Sequence, residues 1–311
     1  MTIATIKIQH QTQHQTENQT KKFRSNPLQL IKYTAFKSIV LSSVILASSL
    51  ISPASTNAQP PLQLLVKRFI AIKNLSGTVR YRAENSTSTA QVGQRLTEVG
   101  DAIITGKQSS VTLVIDEGIG TIQVSEKTEL SIGRLSASNG GYVTQIKING
   151  GQVRLKIRPF NNSNSKIEVI TPAGVAGVRG TDFGVNVLPS GKTGLATLNG
   201  MVTLEAQSVI VKVDRELQST VIMNEPPSTP SRLINDPSVR LDVIAARDGG
   251  RSVQLVGRTD SVNLLLIGET AVETDRTGNF DVVIPLPNDR RLPLLSTTPL
   301  GRKQSYVIQV P

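Results

Sequence analysis

The sequence predicts an all-β protein of two modules behind a removable leader, and three observations carry that reading. From Gln59 onward, short runs of β-branched and aliphatic residues alternate with polar ones at period two. Gly, Asn and Asp bound these runs, which is the punctuation of tight turns. Outside residues 38–51, no stretch long enough for a helix spaces its apolar residues at a helical period.

The leader comes first. Residues 1–37 are polar, with cations at Lys21, Lys22, Arg24, Lys32 and Lys37. The apolar run Ser38–Ile51 follows, then small residues ending in Thr56-Asn57-Ala58 before Gln59. Charged, apolar, then small is the order of a secretory signal whose apolar part forms the signal helix. The run has 14 residues, whereas a spanning helix needs roughly 20. Residues 1–58 therefore read as a signal peptide with a long polar n-region, cleaved near Ala58. The protein is expected in the periplasm or outside the cell, with no stable membrane span after cleavage. Retention of the run as an anchor is the alternative.

Composition narrows the chemistry. A chain of 311 residues accommodates two domains at about 100–200 residues each. It has no Cys and no Trp, and its two histidines, His10 and His14, lie in the leader. The mature chain then lacks imidazole and thiol, which excludes zinc sites built on them, Ser-His and Cys-His catalysis, disulfides and haem attachment. No enzyme activity, cofactor or metal site is expected. The leader also holds six cations (Lys7, Lys21, Lys22, Arg24, Lys32, Lys37) and one anion (Glu17), so its loss reduces the net charge from +11 to +6. Tyr81, Tyr142 and Tyr306 are scattered. Without a basic face interleaved with stacking aromatics, no nucleic-acid partner is expected.

Along the first module, strands are predicted at Val111–Ile115 and Ile119–Val124 around an Asp116-Glu117-Gly118 turn, and at Thr128–Ile132. Residues 142–148 lead through Asn149-Gly150-Gly151 into residues 152–158, and Asn-Gly between alternating runs predicts a hairpin. In its second arm Val153, Leu155 and Ile157 face one way and Arg154, Lys156 and Arg158 the other. Further strands follow at residues 167–171, 181–187, 193–198, 202–205, 209–213 and 220–223. Residues 224–231 hold three prolines in eight residues, the composition of a stiff extended linker. Beyond it, runs at residues 239–245, 252–256, 262–267, 280–284 and 306–310 recur about every ten residues, the spacing of a small β-sandwich. The expected boundaries are a first module at 59–225, a linker at 226–235 and a second module at 236–311.

Residues 68–225 resemble the FecR domain, the extracytoplasmic module of the FecR family. The resemblance runs through Gly77-Thr78-Val79, Val92–Leu96, Val99–Gly106, the Asp116–Gly118 turn, Glu129–Ile132 and Gly150–Val153. Its most diagnostic stretch is Ile170-Thr171-Pro172 through Arg179-Gly180-Thr181-Asp182-Phe183, followed by Gly200–Leu204. The resemblance implies a FecR-type β-sandwich or β-solenoid-like domain. The second module is loosely similar to bacterial Ig-like domains. FecR regulators also carry a cytoplasmic sigma-binding domain ahead of their membrane span. Here about 37 polar residues precede the apolar run, too few for a buried core, so that domain is expected to be missing.

Two constellations are candidate partner-binding sites. Arg179, Asp182 and Phe183 sit in a glycine-punctuated strand pair, where Arg179 and Asp182 either pair or hydrogen-bond to backbone, or Arg179 offers its planar donor fork to a partner's carboxylate. Lys147, Arg154, Lys156 and Arg158 form a basic stripe that either keeps a sheet soluble or docks an acidic partner. Gly191-Lys192-Thr193 imitates the end of a phosphate loop but has Asn186 where the leading glycine belongs, so it reads as an ordinary turn. Carboxylates at Glu98, Asp101, Asp116 and Glu117, and at Asp242, Asp248, Asp260 and Asp275, occur at turn positions where such residues are common. The expected function is non-catalytic: an exported module that binds an envelope protein or cell-surface polymer in sensing or assembly. A membrane-tethered regulator and a glycan-binding protein are the alternatives.

Overall fold

The computed structural model describes residues 67–310 apart from Asn85 and Asn139, so the predicted leader and the signal helix lie outside the described residues. As expected, the described chain is all-β. Among the described residues the single helical element is a 3-10 turn at Asp248–Gly250, and no helix is long and apolar enough to cross a membrane.

The first module is a two-layer roll of seventeen strands. Its chain begins with β1 (Ile70–Ser76), β2 (Val79–Ala83), β3 (Ser86–Thr89), β4 (Arg95–Leu96), β5 (Ala102–Thr105), β6 (Ser110–Ile115), β7 (Gly120–Val124) and β8 (Glu129–Ser138). The long β9 (Gly141–Ile157) leads to β10 (Lys166–Ile170), β11 (Val175–Val178), β12 (Asp182–Val187) and β13 (Thr193–Asn199). It closes with β14 (Met201–Ala206), β15 (Val209–Asp214), β16 (Leu217–Val221) and β17 (Ser231–Arg232). One layer runs β4-β1-β6-β7-β9-β12-β13-β16-β17. The other runs β3-β2-β5-β8-β9-β10-β11-β14-β15. Every pairing is antiparallel except β9 with β10. Successive hairpins fall on alternate layers, so inward aliphatic side chains from each close one shared core. Ile70, Leu113, Ile122, Leu130, Ile146, Leu155 and Phe183 are fully buried within it.

The predicted hairpin at Asn149-Gly150-Gly151 does not form. The two alternating runs are one continuous strand, β9, and they do not pair with each other. Residues 141–150 pair with β8, and residues 143–147 also with β10. Residues 151–157 cross to the other layer and pair with β7 and β12. Gly151 is the bend: its φ is +96°, a conformation that favours glycine. A Cβ there would sit 2.2 Å from the Thr128 hydroxyl, which instead accepts the Gln152 N–H at 3.0 Å. Asn-Gly marks a sharp change of direction, and only the neighbouring strands decide whether the chain folds back or bends through. The alternation predicted for residues 153–158 is present, with Val153, Leu155 and Ile157 buried.

The proline-rich segment, expected as a stiff extended linker, is tied to the first module by hydrogen bonds. Thr220 and Ser228 exchange hydrogen bonds (Ser228 N–H to Thr220 C=O, 2.8 Å; Thr220 N–H to Ser228 Oγ, 3.0 Å), and Leu233 N–H reaches Glu216 C=O at 2.8 Å. The segment thus lies along β16 and ends in β17. Prolines suit such an edge because they need donate no ladder hydrogen bond.

The second module has two sheets. Strands β18 (Arg240–Arg247), β19 (Ser252–Arg258) and β22 (Asn279–Pro285) form the first. The second, in the order β21-β20-β23-β24, is built from β20 (Leu264–Ile267), β21 (Thr270–Val272), β23 (Arg291–Thr297) and β24 (Lys303–Gln309). Val253, Leu255, Leu265, Ile267, Phe280 and Leu294 from both sheets share a core separate from that of the first module. Strand β23 escapes sequence reading because Pro293 breaks its run. The proline is tolerated since it sits past the end of β20, and its carbonyl receives the Gly268 N–H at 2.7 Å.

Candidate functional site

The sequence places Arg179, Asp182 and Phe183 together, and the fold separates them. Residues 179–181 carry the chain from β11 on one layer to β12 on the other. Arg179 is exposed, and its guanidinium donates to the Ser163 carbonyl. Asp182 does not pair with Arg179. It accepts a two-pronged bond from Arg154 on the adjacent β9, Nε to Oδ1 at 2.9 Å and Nη2 to Oδ2 at 3.0 Å. Phe183 is a fully buried core residue, so it offers no surface to a partner: alternation along β12 turns it inward, and the apolar interior holds it there.

The basic stripe is likewise divided. Lys147 is exposed on the part of β9 that belongs to the β8–β10 layer. Arg154 and Lys156 lie on the part that belongs to the β7–β12 layer, and Arg158 follows its end. Because β9 bends through where a hairpin was expected, the four cations share no face, and Arg154 is neutralised by Asp182. Asp182→Asn is expected to lower stability by about 1–2 kcal/mol, since it weakens a partly buried charge-assisted pair. Arg179→Lys should stay within about 0.5 kcal/mol of the parent, as exposed substitutions do. Urea unfolding of both variants compares them directly.

Asp116, Asp101 and Asp275 are structural. Asp116 holds Arg68 and the Phe69 N–H, and Asp101 accepts the Thr97 and Glu98 N–H groups at 2.9 and 3.1 Å. Asp275 closes its own turn. Bonds from the Thr277 hydroxyl and from the Thr277 and Asn279 N–H groups hold it at about 2, against the cost of burial. Among the described residues no group of three or more His, Cys, Asp or Glu side chains could hold a metal ion.

The residues that sequence reading missed lie where β12 and β13 meet the second module. Asn186 is fully buried and its amide donates to the carbonyls of Val262 and Thr297, both at 2.9 Å. Gln152 donates to the Pro299 carbonyl at 2.7 Å. Lys192, read from sequence as part of an ordinary turn, buries its ammonium against Thr274 C=O and Oγ1, each at 2.6 Å, and Asp275 C=O at 3.1 Å. Desolvation lowers its pKa to about 8, despite the opposing pull of Glu273, Asp275 and Asp260. Around the rim, Glu269 accepts from Lys107 and Lys127, and Lys303 reaches Glu126 at 2.8 Å. One signal was available in the sequence. Residues 183–188 (Phe-Gly-Val-Asn-Val-Leu) do not alternate, as expected of a strand covered on both faces.

A two-layer β roll with a β-sandwich docked on one face, held by buried polar side chains, is the class of protein that these features define. Within it, residues 101–203, a third of the chain, match the family model described as FecR protein. Two crystal structures of a candidate anti-sigma factor from Parabacteroides distasonis ATCC 8503, at 1.65 and 2.50 Å, are similar at 11% identity with a TM-score of 0.36. The similarity covers 42% of this chain and 59% of that one, so this chain spans less than two thirds of the structures it matches. No curated protein matches.

Proposed function

We propose that the chain is an exported, non-catalytic FecR-domain protein that works by protein–protein binding in an envelope sensing or assembly complex. The FecR domain at residues 101–203 carries this reading. The apolar run at residues 38–51, flanked by cations and small residues, supports export. The face of the β12–β13 pair that carries Gly184, Asn186 and Gly194 is already occupied by the second module, so a partner would engage surfaces elsewhere on the roll.

The test is the mass and N-terminal sequence of the protein from its host's soluble and membrane fractions, followed by chemical cross-linking in intact cells. A soluble chain beginning near Gln59 with a reproducible cross-linked envelope partner is the expected result. A full-length chain in the membrane would favour the tethered regulator, and a soluble chain with no cross-linked protein would overturn the binding role.

A further inference from the structure

A cleft of about 540 Å³ opens at the end of the roll where β1 begins, between the β6–β7 turn and residues 158–160. That volume lies within the range of ligand sites. Its floor is fixed by Arg68, which is nearly fully buried. Arg68 gives Nε and Nη2 to Asp116 Oδ2 at 3.0 and 2.7 Å, and Nη2 also to Thr144 Oγ1 at 2.8 Å. Its Nη1 bonds the carbonyls of Val143 and Ser136 at 2.9 and 3.2 Å. The five donors of the guanidinium are therefore used within the fold. Asp116 spends its other oxygen on the Phe69 N–H at 3.0 Å. The inner charges are scaffold, and none remains for a ligand.

The rim is different. Arg158 ties its main chain to the Ile119 carbonyl at 3.0 Å. Its guanidinium lies over Gly118, whose Cβ, if present, would be 3.2 Å from Nη1. Among the described residues it makes no ion pair or side-chain hydrogen bond. Tyr142, with its ring 5.0 Å from the Arg68 guanidinium carbon, and the half-buried Phe160 supply aromatic walls. Lys67 adds a second rim cation, in an exposed pair with Glu98 at 3.2 Å. Among the described residues, Glu117 is the one rim carboxylate of the cleft, and it is exposed and makes no ion pair there. A free guanidinium beside aromatic walls suits a ligand that is aromatic and anionic at once.

We propose that this cleft binds a partner polypeptide through an aromatic side chain adjacent to a carboxylate, with Arg158 taking the carboxylate and Tyr142 and Phe160 flanking the ring. The proposal rests on the protein-binding reading above and assigns it a site.

Calorimetric titration of the full chain with the peptide Gly-Phe-Asp-Phe-Glu-Gly tests it. The expected result is binding about 10-fold tighter than that of the neutral Gly-Phe-Asn-Phe-Gln-Gly, and tighter than that of Gly-Ala-Asp-Ala-Glu-Gly. Arg158→Ala should remove the preference for the acidic peptide without moving the melting temperature, because the side chain is exposed. Glu117→Gln should tighten the acidic peptide about 2- to 5-fold by removing a like charge. Equal affinity for the acidic and neutral peptides, or an unchanged preference in Arg158→Ala, overturns the proposal. So does an absence of heat with all three at about 1 mM. Failure of the site and failure of the function are separable. A cross-linked partner retained undiminished by Arg158→Ala keeps the binding role and removes this cleft from it.

Discussion

Replacing Gly184 by valine is expected to undock the second module from the first. A Cβ at Gly184 would fall 1.8 Å from the Pro299 carbonyl oxygen, 2.3 Å from its carbon and 3.0 Å from Leu300 N. These are all backbone atoms, so no side chain can rotate out of the way, and the sheets must move apart. Overpacking of this kind costs about 1–3 kcal/mol and more where the backbone is rigid. Separation would also strip Asn186 and Gln152 of their acceptors on the second module, at about 1–3 kcal/mol for each polar group left buried without a partner. Because each module has its own core, both should stay folded. One thermal transition would become two, and the 298–302 loop and β12 should gain amide exchange. A single transition within about 0.5 kcal/mol of the parent would show that the contact is not what holds the modules together. Gly194, whose Cβ would lie 2.3 Å from the Val262 carbonyl, provides an independent site for the same experiment.

The stability of the parent protein should rise between about pH 8 and 10.5, and Lys192 is the cause. Its pKa in the folded protein is about 8, against about 10.4 for an unfolded chain. Between those values the unfolded chain binds the extra proton, so stability rises with pH through that window and is flat in this group outside it. The shift corresponds to about 3 kcal/mol. Below pH 8 the ammonium is charged in both states, and the fold carries the cost of burying it, offset in part by the three oxygens it bonds. Lys192→Met removes the titration. The parent-minus-variant difference in unfolding free energy should climb by about 3 kcal/mol from pH 7.5 to 10.5, while the titrations of the tyrosines and other lysines cancel. Parallel curves would place the ammonium in water and contradict the buried geometry.

Much of the fold is legible locally because an antiparallel strand exposed on one face writes its orientation into the sequence. Alternation at residues 111–115 and 153–157, and the Asp116-Glu117-Gly118 turn between β6 and β7, needed no knowledge of neighbours. The legibility fails wherever the partner is distant in sequence. Asn149-Gly150-Gly151 has the composition of a hairpin, yet β7, β8, β10 and β12 claim the two halves of β9 first. Asp182 has an arginine three residues before it, but its partner is Arg154, twenty-eight residues away and one strand over.

The candidate site follows the same rule. Arg158 was visible as one cation of a stripe, but its neighbours in that stripe are not its neighbours in space. Lys147 lies on the other layer, Arg154 is paired, and the aromatic walls come from Tyr142 and Phe160. By itself the sequence determined the fold class, the absence of Cys and Trp, and the FecR signature around Arg179–Phe183. These depend on residue identity and short-range periodicity, which the sequence states directly. Only the tertiary structure decided which polar groups are buried and which charges are free. A charge is quenched or left available by whatever packs against it, and in a β roll that neighbour is set by strand pairing over tens of residues.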